Sequence, residues 1–271
     1  MIIRYGNIVH ISSILLAILL VVLLTLLLRK RTEKTKKIVI FAILFLNLFQ
    51  HIFKCIVWPQ YYGTGFGELN SAYNMCAFLI IVSPFIFLLK VKALKDFIFY
   101  IGTTAGIIAI SVPYWFIGNS ILTFEYLRFY TCHSLLFIGS MLPITLGLHK
   151  ISVKNVWKIG FISLGALLIV LANGFVFSFF KYKPNWEDVM KSFLSKNPVW
   201  ALHPTEGFER VAKIITIFTP KIFLGGDGGG YTPILWYAIP VYSLMTILCL
   251  IVSLFFHFVV YKKRKNNESL N

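Results

Sequence analysis

The segment 70–90 reads NSAYNMCAFLIIVSPFIFLLK and is apolar over nearly its whole length. A helix crosses the hydrocarbon core of a bilayer with about 20 residues, so this segment predicts a transmembrane helix. Cys76 lies near its start, and Pro84 is predicted to interrupt the helix further on. Most cysteines in such a setting are small buried hydrophobic residues. Without a catalytic partner on another segment, Cys76 is therefore expected to be a structural residue.

The composition of the whole chain is that of a membrane protein. Of its 271 residues, 58% are hydrophobic and 13% are charged, whereas a soluble domain is about half apolar and about a quarter charged. The formal net charge of +16 would also suit a nucleic-acid partner. Here the basic residues cluster beside apolar runs, where they orient the chain and contact anionic lipid headgroups. The composition predicts a single membrane domain over residues 1–271 and no nucleic-acid binding.

The apolar runs predict an all-α polytopic membrane protein, a bundle of about seven transmembrane helices. The predicted spans cover residues 8–28, 38–58, 71–90, 96–117, 126–148, 156–180 and 232–260. The first run is too long for the apolar region of a signal peptide, and no small-residue cleavage site follows it. It is therefore predicted to be retained as a helix.

The short loops alternate in charge along the chain. The loop RKRTEKTKK (29–37) is strongly basic, whereas PQYYGTGFGELN (59–70) contains no Lys or Arg. The alternation continues to the basic tail 262–271. Because basic short loops remain in the cytoplasm, the pattern predicts an N-terminus outside, a cytoplasmic C-terminus and a multi-pass protein of the cell membrane.

This orientation places polar residues from four spans at a similar depth beneath the outer surface. Cys76 lies about five residues, or about 8 Å, into its span, and His133 about seven residues, or about 10 Å. His51 and Asn173 fall in the outer parts of two further spans. A histidine is the usual general base near neutral pH, and a thiol beside an imidazole can form the nucleophilic thiolate. The alternative to a Cys76–His133 dyad is that both residues are structural.

The second span carries a polar stripe, which consists of Asn47, Gln50, His51 and Lys54. Their spacing places all four on one face of a helix. A charge against lipid costs about 2.5–3.5 kcal/mol, so the stripe must face protein or water. Two interpretations are open: the stripe bonds helices together, or it lines a substrate cavity together with Tyr73.

The remaining features predict no cofactor and no metal. The cysteines all lie in apolar runs, without the spacing of a disulfide framework or a metal site: Cys55, Cys76, Cys132 and Cys249. The long segment 181–231 is predicted to be external and to contain a lid or re-entrant piece near 211–224. Its run GGDGGG (225–230) lacks the Lys and Ser/Thr of a phosphate-binding loop, and is predicted to be a flexible hinge.

Three motifs in order resemble one family. They are Cys76 in the third span, LRFYTCHSLLFI (127–138) opening the fifth, and ANGFVFSFFKYKP (172–184) closing the sixth. Together they resemble the YwaF-like bacterial integral membrane proteins over roughly residues 40–200. Those proteins are relatives of a eukaryotic transmembrane acyltransferase that remodels phospholipids.

The resemblance implies a membrane-embedded phospholipid acyltransferase of the bacterial plasma membrane, with membrane lipids as its substrates. Cys76 matches the family's nucleophilic cysteine, His133 its catalytic histidine, and Asn173 an asparagine suited to positioning the substrate or the oxyanion. Hydrolysis would be the same chemistry with water as acceptor. The chain departs from the family at Gly174-Phe175, where family members usually have a tyrosine.

A function from another class is also open. In a non-enzymatic transporter or ligand-binding membrane protein, the polar stripe and His133 would line an intramembrane pocket, and Cys76 would be inert. Many transporters are built from internal repeats, and the sequence shows none.

Overall fold

The computed structural model describes residues 2–59, 67–197, 202, 209–224 and 235–261. Within these ranges the fold is helical, and β pairing is limited to one isolated bridge between Ile2 and Ser120. The predicted all-α class is confirmed. The chain divides into two compact units, residues 1–71 with 76–150 and residues 72–75 with 151–271. The predicted Gly-rich hinge at 225–230 and the basic tail at 262–271 lie outside the described residues.

The first unit is built from apolar helices, two of which begin at polar side-chain caps. The helices are α1 (Ile8–Leu28), α2 (Glu33–Val57), α3 (Met75–Leu88, starting at the border of the unit), α4 (Lys92–Ser111) and α5 (Phe124–Thr145). Asn7 caps α1 by accepting a hydrogen bond from the backbone N–H of His10, and Thr32 caps α2 in the same way through Thr35. Each side chain pairs a backbone donor that has no partner within its helix.

Helices α3 and α4 contain local irregularities. Pro84 lies inside α3, which continues to Leu88. The predicted interruption is therefore wrong: proline removes one backbone hydrogen bond, and the apolar helix persists without it. Helix α4 contains a π-helical turn at Ile98–Gly102, and it ends at Ser111, two residues before Pro113.

The core of the first unit is formed where α1, α2, α4 and α5 meet. Its buried members are apolar: Ala17, Val21, Leu28, Ile40, Leu44, Ile110, Phe137, Ile138, Leu142 and Leu146. Gly139 lets α5 approach α2, because a Cβ at this position would lie 2.4 Å from Leu44 Cδ2. The outward face of α1 is also apolar, with Leu15, Leu19 and Leu27 about half exposed or more, as expected for a helix that faces lipid.

The first residues of the chain pair with the segment that leads into α5. The Ile3 N–H donates to the Asn119 carbonyl (2.9 Å), and the Gly118 N–H donates to the Ile3 carbonyl (2.8 Å). The Ile3 side chain is completely buried. These contacts fix the N-terminus against the α4–α5 connection.

The second unit contains α6 (Val156–Tyr182), α7 (Trp186–Lys196), α8 (Glu209–Ile217) and α9 (Leu235–Phe255). Helix α6 packs on α9 through Gly160, where a Cβ would lie 1.9 Å from the Tyr242 ring. Asn185 caps α7 by accepting from two backbone N–H groups. The predicted lid region is thus partly helical, as α7 and α8.

Four helices of the described chain are long and apolar enough to cross a membrane: Ile8–Leu28, Glu33–Val57, Lys92–Ser111 and Val153–Tyr182. Helix α3 and the segment Tyr242–Phe258 are shorter and also apolar. These lengths and compositions support a multi-pass membrane protein. The number of about seven spans and the orientation of the termini stay predictions.

The contact between α4 and α5 depends on Gly106. A methyl group there would lie 2.9 Å from the His133 carbonyl oxygen and 2.9 Å from the Phe137 backbone nitrogen. We expect Gly106→Ala to lower the free energy of unfolding by about 1–3 kcal/mol, because backbone atoms cannot rotate away. The measurement is the midpoint of thermal unfolding of the purified protein.

The matched control is Gly165→Ala in α6, where a methyl group would meet no atom within 4 Å. Alanine favours a helix over glycine by up to about 1 kcal/mol, so this variant should be unchanged or slightly more stable. Equal midpoints for the two variants would show that α4 and α5 do not approach closely at Gly106.

Candidate functional site

The polar stripe of α2 is buried within the first unit. Asn47 and His51 are each 2% exposed, and Lys54 is 1% exposed. Gln50 is half-buried. The helical spacing that predicted one shared face therefore corresponds to a face turned into protein, away from lipid.

Hydrogen bonds join the stripe to neighbouring residues. The Asn47 side-chain amide donates to the Cys132 carbonyl on α5 (3.0 Å). The Gln50 amide donates to Asn47 Oδ1 (2.8 Å), and His51 Nε2 donates to the Ser71 carbonyl (3.1 Å). These contacts are those expected of a stripe that bonds helices together. Lining of a substrate cavity by the same residues stays a prediction.

Two contacts fix the register between α2 and α5. Asn47 is bonded to Cys132, and the rings of Trp58 and Phe124 have centroids 4.5 Å apart. The two helices are therefore antiparallel, since the numbers on α5 fall as those on α2 rise. Lys54 lies between these two contacts, beside the first two turns of α5.

Arg128 lies on α5 at that level, one helical turn before Cys132. It is within electrostatic range of both His51 and Lys54. We refer to His51, Lys54 and Arg128 as the basic cluster. Sequence reasoning missed Arg128, although an arginine inside a predicted apolar span was a signal that could have identified it.

His133 is oriented by its own helix. Its Nδ1 donates to the Phe129 carbonyl (2.8 Å), and its ring lies against the Phe129 ring at a centroid distance of 4.3 Å. Donation from Nδ1 leaves Nε2 as the basic nitrogen. The half-buried imidazole thus presents the atom that a general base would use.

Cys76 is the second residue of α3 and is half-buried, whereas the other three cysteines are buried. The first turn of a helix favours negative charge, because its backbone N–H groups are unpaired and the helix dipole points toward it. Burial opposes this by removing water from a thiolate. Cys76 is within electrostatic range of Cys132, the residue before His133. Within the described residues no hydrogen bond joins Cys76 to His133, and the dyad stays a prediction.

The other predicted site residues lie in the second unit. Asn173 is half-buried in α6, and Tyr73 is half-buried just before α3. Their predicted roles in positioning the substrate or lining a cavity stay predictions.

A buried hydrogen bond between a histidine and a carboxylate lies elsewhere in the first unit and was also missed from the sequence. His149 Nε2 is 2.6 Å from Asp96 Oδ1, and the two side chains are 9% and 0% exposed. The residues are 53 positions apart, so no local pattern connects them. A cavity of about 20 Å³ beside this pair is lined by Lys95, Ser140 and His149. That volume holds about one water molecule, so this cavity is not a site for a lipid chain.

Comparison with known proteins identifies one family. The sequence model of the TMEM164 family matches residues 5–176. No curated protein and no solved structure matches the chain. The matched region covers most of the first unit and the larger part of α6, and it includes Cys76, His133 and Asn173.

Proposed function

The chain belongs to the TMEM164 family of membrane proteins, and from this premise we propose that it is a membrane-embedded acyltransferase. It would act on the acyl chains of phospholipids through Cys76 and His133. The motifs that resemble YwaF-like proteins support this reaction class.

The observation that carries the proposal is that Cys76 is more exposed than the other three cysteines. Cys55, Cys132 and Cys249 are at most 3% exposed, which is typical of inert structural cysteines. Cys76 alone is half-buried, at a helix start that favours negative charge. Partial exposure and a position in the first turn of a helix are both found at reactive cysteines.

The chemistry proceeds in two steps. In the first, His133 Nε2 takes the proton of the Cys76 thiol, and the sulfur attacks the ester carbonyl of a phospholipid. The C–S bond forms as the ester C–O bond breaks, and the lysolipid leaves with the proton from His133. In the second step, His133 takes a proton from an acceptor hydroxyl or amine, which attacks the thioester carbonyl. The new C–O or C–N bond forms as the C–S bond breaks, and the Cys76 sulfur recovers the proton from His133.

The proposal includes the arrangement in the membrane. About seven helices would cross the bilayer, with the N-terminus outside, the C-terminus in the cytoplasm and the dyad near the outer leaflet. The alternating charge of the short loops supports this orientation.

One observation favours a second candidate function. Lys54 is an almost completely buried lysine in an apolar helix, and intramembrane ionisable residues also mark ligand and transport pathways. In a transporter or ligand-binding protein, no covalent bond to the lipid would form.

Covalent labelling tests the proposed function directly. We expect the purified full-length protein, incubated with a phospholipid that carries a labelled acyl chain, to acquire the label on Cys76. Because a thioester is formed, neutral hydroxylamine should remove the label. Peptide mapping identifies the labelled residue.

The Cys132→Ser variant is the matched control, since it removes a buried thiol and should label like the wild type. A label on Cys132 would contradict a Cys76 nucleophile. Absence of a hydroxylamine-sensitive label from the wild type would contradict it as well and would favour the non-enzymatic candidate.

A further inference from the structure

Helix α7 has three different faces along its 11 residues. One face is buried or half-buried: Val189, Ser192, Phe193 and Lys196. A second face is polar or charged and is exposed: Glu187, Asp188, Lys191 and Ser195. The third face is apolar, yet Trp186 is 60% exposed, Met190 42% and Leu194 44%. We refer to these three residues as the apolar stripe, since a spacing of four residues aligns them along the helix.

The buried face of α7 packs against the end of α6. The Phe193 and Phe175 rings have centroids 5.7 Å apart. The hydroxyl oxygens of Ser178 and Ser192 are 3.3 Å apart, and Lys196 Nζ donates to Ser178 Oγ (3.1 Å). Ser178 therefore marks the level at which α7 packs on α6.

Ser178 also lies where α6 is expected to leave the hydrocarbon core. Helix α6 has 27 residues, and about 20 residues are enough to cross the core. Lys158, near the start of α6, is exposed, and its charge is favoured outside the hydrocarbon. Counting about 20 residues from Lys158 leads to Ser178. Helix α7 is therefore placed beside a boundary between hydrocarbon and headgroups, whichever way the chain is oriented.

The apolar stripe continues the exposed apolar surface of α6. Phe180 is 64% exposed, on a helix long and apolar enough to cross a membrane. Its ring lies 5.5 Å from the Phe179 ring, and the Phe179 ring lies 5.5 Å from the Trp186 ring. Lipid that covers the end of α6 would therefore cover the stripe as well.

The chemistry of the three faces suits this boundary. A helix that lies in the membrane interface buries one apolar face among acyl chains and keeps a charged face in water. Tryptophan is enriched there, because its ring is apolar and its N–H is polar. Lys183, just before α7, has its Nζ 5.1 Å from the centre of the Phe180 ring. A lysine in such a position covers apolar surface with its stem while its ammonium stays among the headgroups.

We propose that α7 is an interfacial helix that binds the lipid surface through Trp186, Met190 and Leu194. The stripe lies among the acyl chains next to the headgroups, and the face that includes Glu187 and Lys191 lies in water. The predicted external segment 181–231 then begins on the membrane surface and not in open solution. This proposal is independent of the acyltransferase reaction.

The test measures which small molecules reach each side of α7 in a bilayer. Full-length protein with Cys76→Ser retains only buried native thiols. It receives one further cysteine at a time, is labelled there with a nitroxide and is reconstituted into phosphatidylcholine vesicles. Collisions of the nitroxide with oxygen report exposure to lipid, and collisions with a water-soluble nickel chelate report exposure to water.

Met190→Cys and Leu194→Cys are expected to favour oxygen over the nickel chelate severalfold. Their neighbours Lys191→Cys and Ser195→Cys are the matched controls and should show the reverse preference. The preference should change between adjacent positions, because each residue turns a helix by about 100°. If a variant on the stripe does not fold, Trp186→Cys takes its place.

Two positions outside α7 calibrate the measurement. Ile169 is 53% exposed within the apolar part of α6, so Ile169→Cys gives the value for lipid. The Lys37 side chain is 57% exposed near the start of α2, so Lys37→Cys gives the value for water.

Three results would overturn the proposal. A preference for the nickel chelate at Met190→Cys or Leu194→Cys would place the stripe in water. Protection of either position from both reagents would show that protein covers the stripe, such as a second copy of the chain. A preference for oxygen at Lys191→Cys and Ser195→Cys as well would place the whole helix inside the hydrocarbon core.

Discussion

Membranes that contain the Cys76→Ser variant are expected to lose acyl-chain remodelling, with a rate at least about a thousandfold below that of the wild type. Serine nearly preserves the size and polarity of the side chain, but its hydroxyl is far harder to deprotonate than a thiol. The protein should still insert and accumulate normally. The measurement is lipid profiling of membranes from cells that express each variant at matched levels.

His133→Ala should fail in the same way, because it removes the base that we propose activates the thiol. The double variant should be hardly worse than either single variant, since residues that act as one unit are not additive. Cys132→Ser serves as the control: its side chain is buried next to His133 in the sequence, and its loss should leave remodelling intact. Remodelling that survives in Cys76→Ser would exclude covalent catalysis by this residue.

The second large effect is expected at the buried hydrogen bond between Asp96 and His149. Asp96→Asn should destabilise the protein by about 1.5–3 kcal/mol, because it removes the carboxylate that accepts the hydrogen bond from His149 Nε2. The Asp96 side chain is completely buried, and its Oδ1 lies 2.6 Å from His149 Nε2. Thermal unfolding of the purified protein measures the loss, which should also lower the yield of folded protein.

The chain offers a matched control in an exposed ion pair. Glu33 and Lys37 are 3.0 Å apart, with side chains 75% and 57% exposed, so water and salt screen their attraction. Glu33→Gln should leave the unfolding midpoint within experimental error. His149→Gln combined with Asp96→Asn should be less harmful than the sum of the single variants. If Asp96→Asn and Glu33→Gln unfold at the same temperature, the Asp96–His149 pair does not stabilise the fold.

Hydropathy predicted the ends of a helix most accurately where an apolar run meets polar or charged residues directly. The predicted span 8–28 coincides with α1, which lies between the cap Asn7 and Arg29. The second prediction, 38–58, missed the first turn of α2, because charged residues from Glu33 onward continue a helix beyond its apolar part. The predicted span 96–117 extended past Ser111, where the apolar run continues but Pro113 follows the helix end.

The candidate site was predictable only where its residues share one helix. A helical period places Asn47, His51 and Lys54 on one face, and the structure buries that face. The partners across helices need the fold: Arg128 joins the cluster through the register of α2 and α5, and His149 meets Asp96 from a distant part of the chain. Periodicity shows which residues of a helix lie together, but it does not show which other helix they face.

The pairing of Ile3 with Gly118 and Asn119 has a consequence for biosynthesis. A ribosome produces the N-terminus first, so Ile3 has no backbone partner until the residues that precede α5 have been made. Helix α1 can enter the membrane early, but the segment that precedes it is fixed only after α4 is complete. Pairing of Ile3 with residues 118–119 therefore fixes two segments at once: the one that precedes α1 and the one that leads into α5, the helix that carries Arg128 and His133.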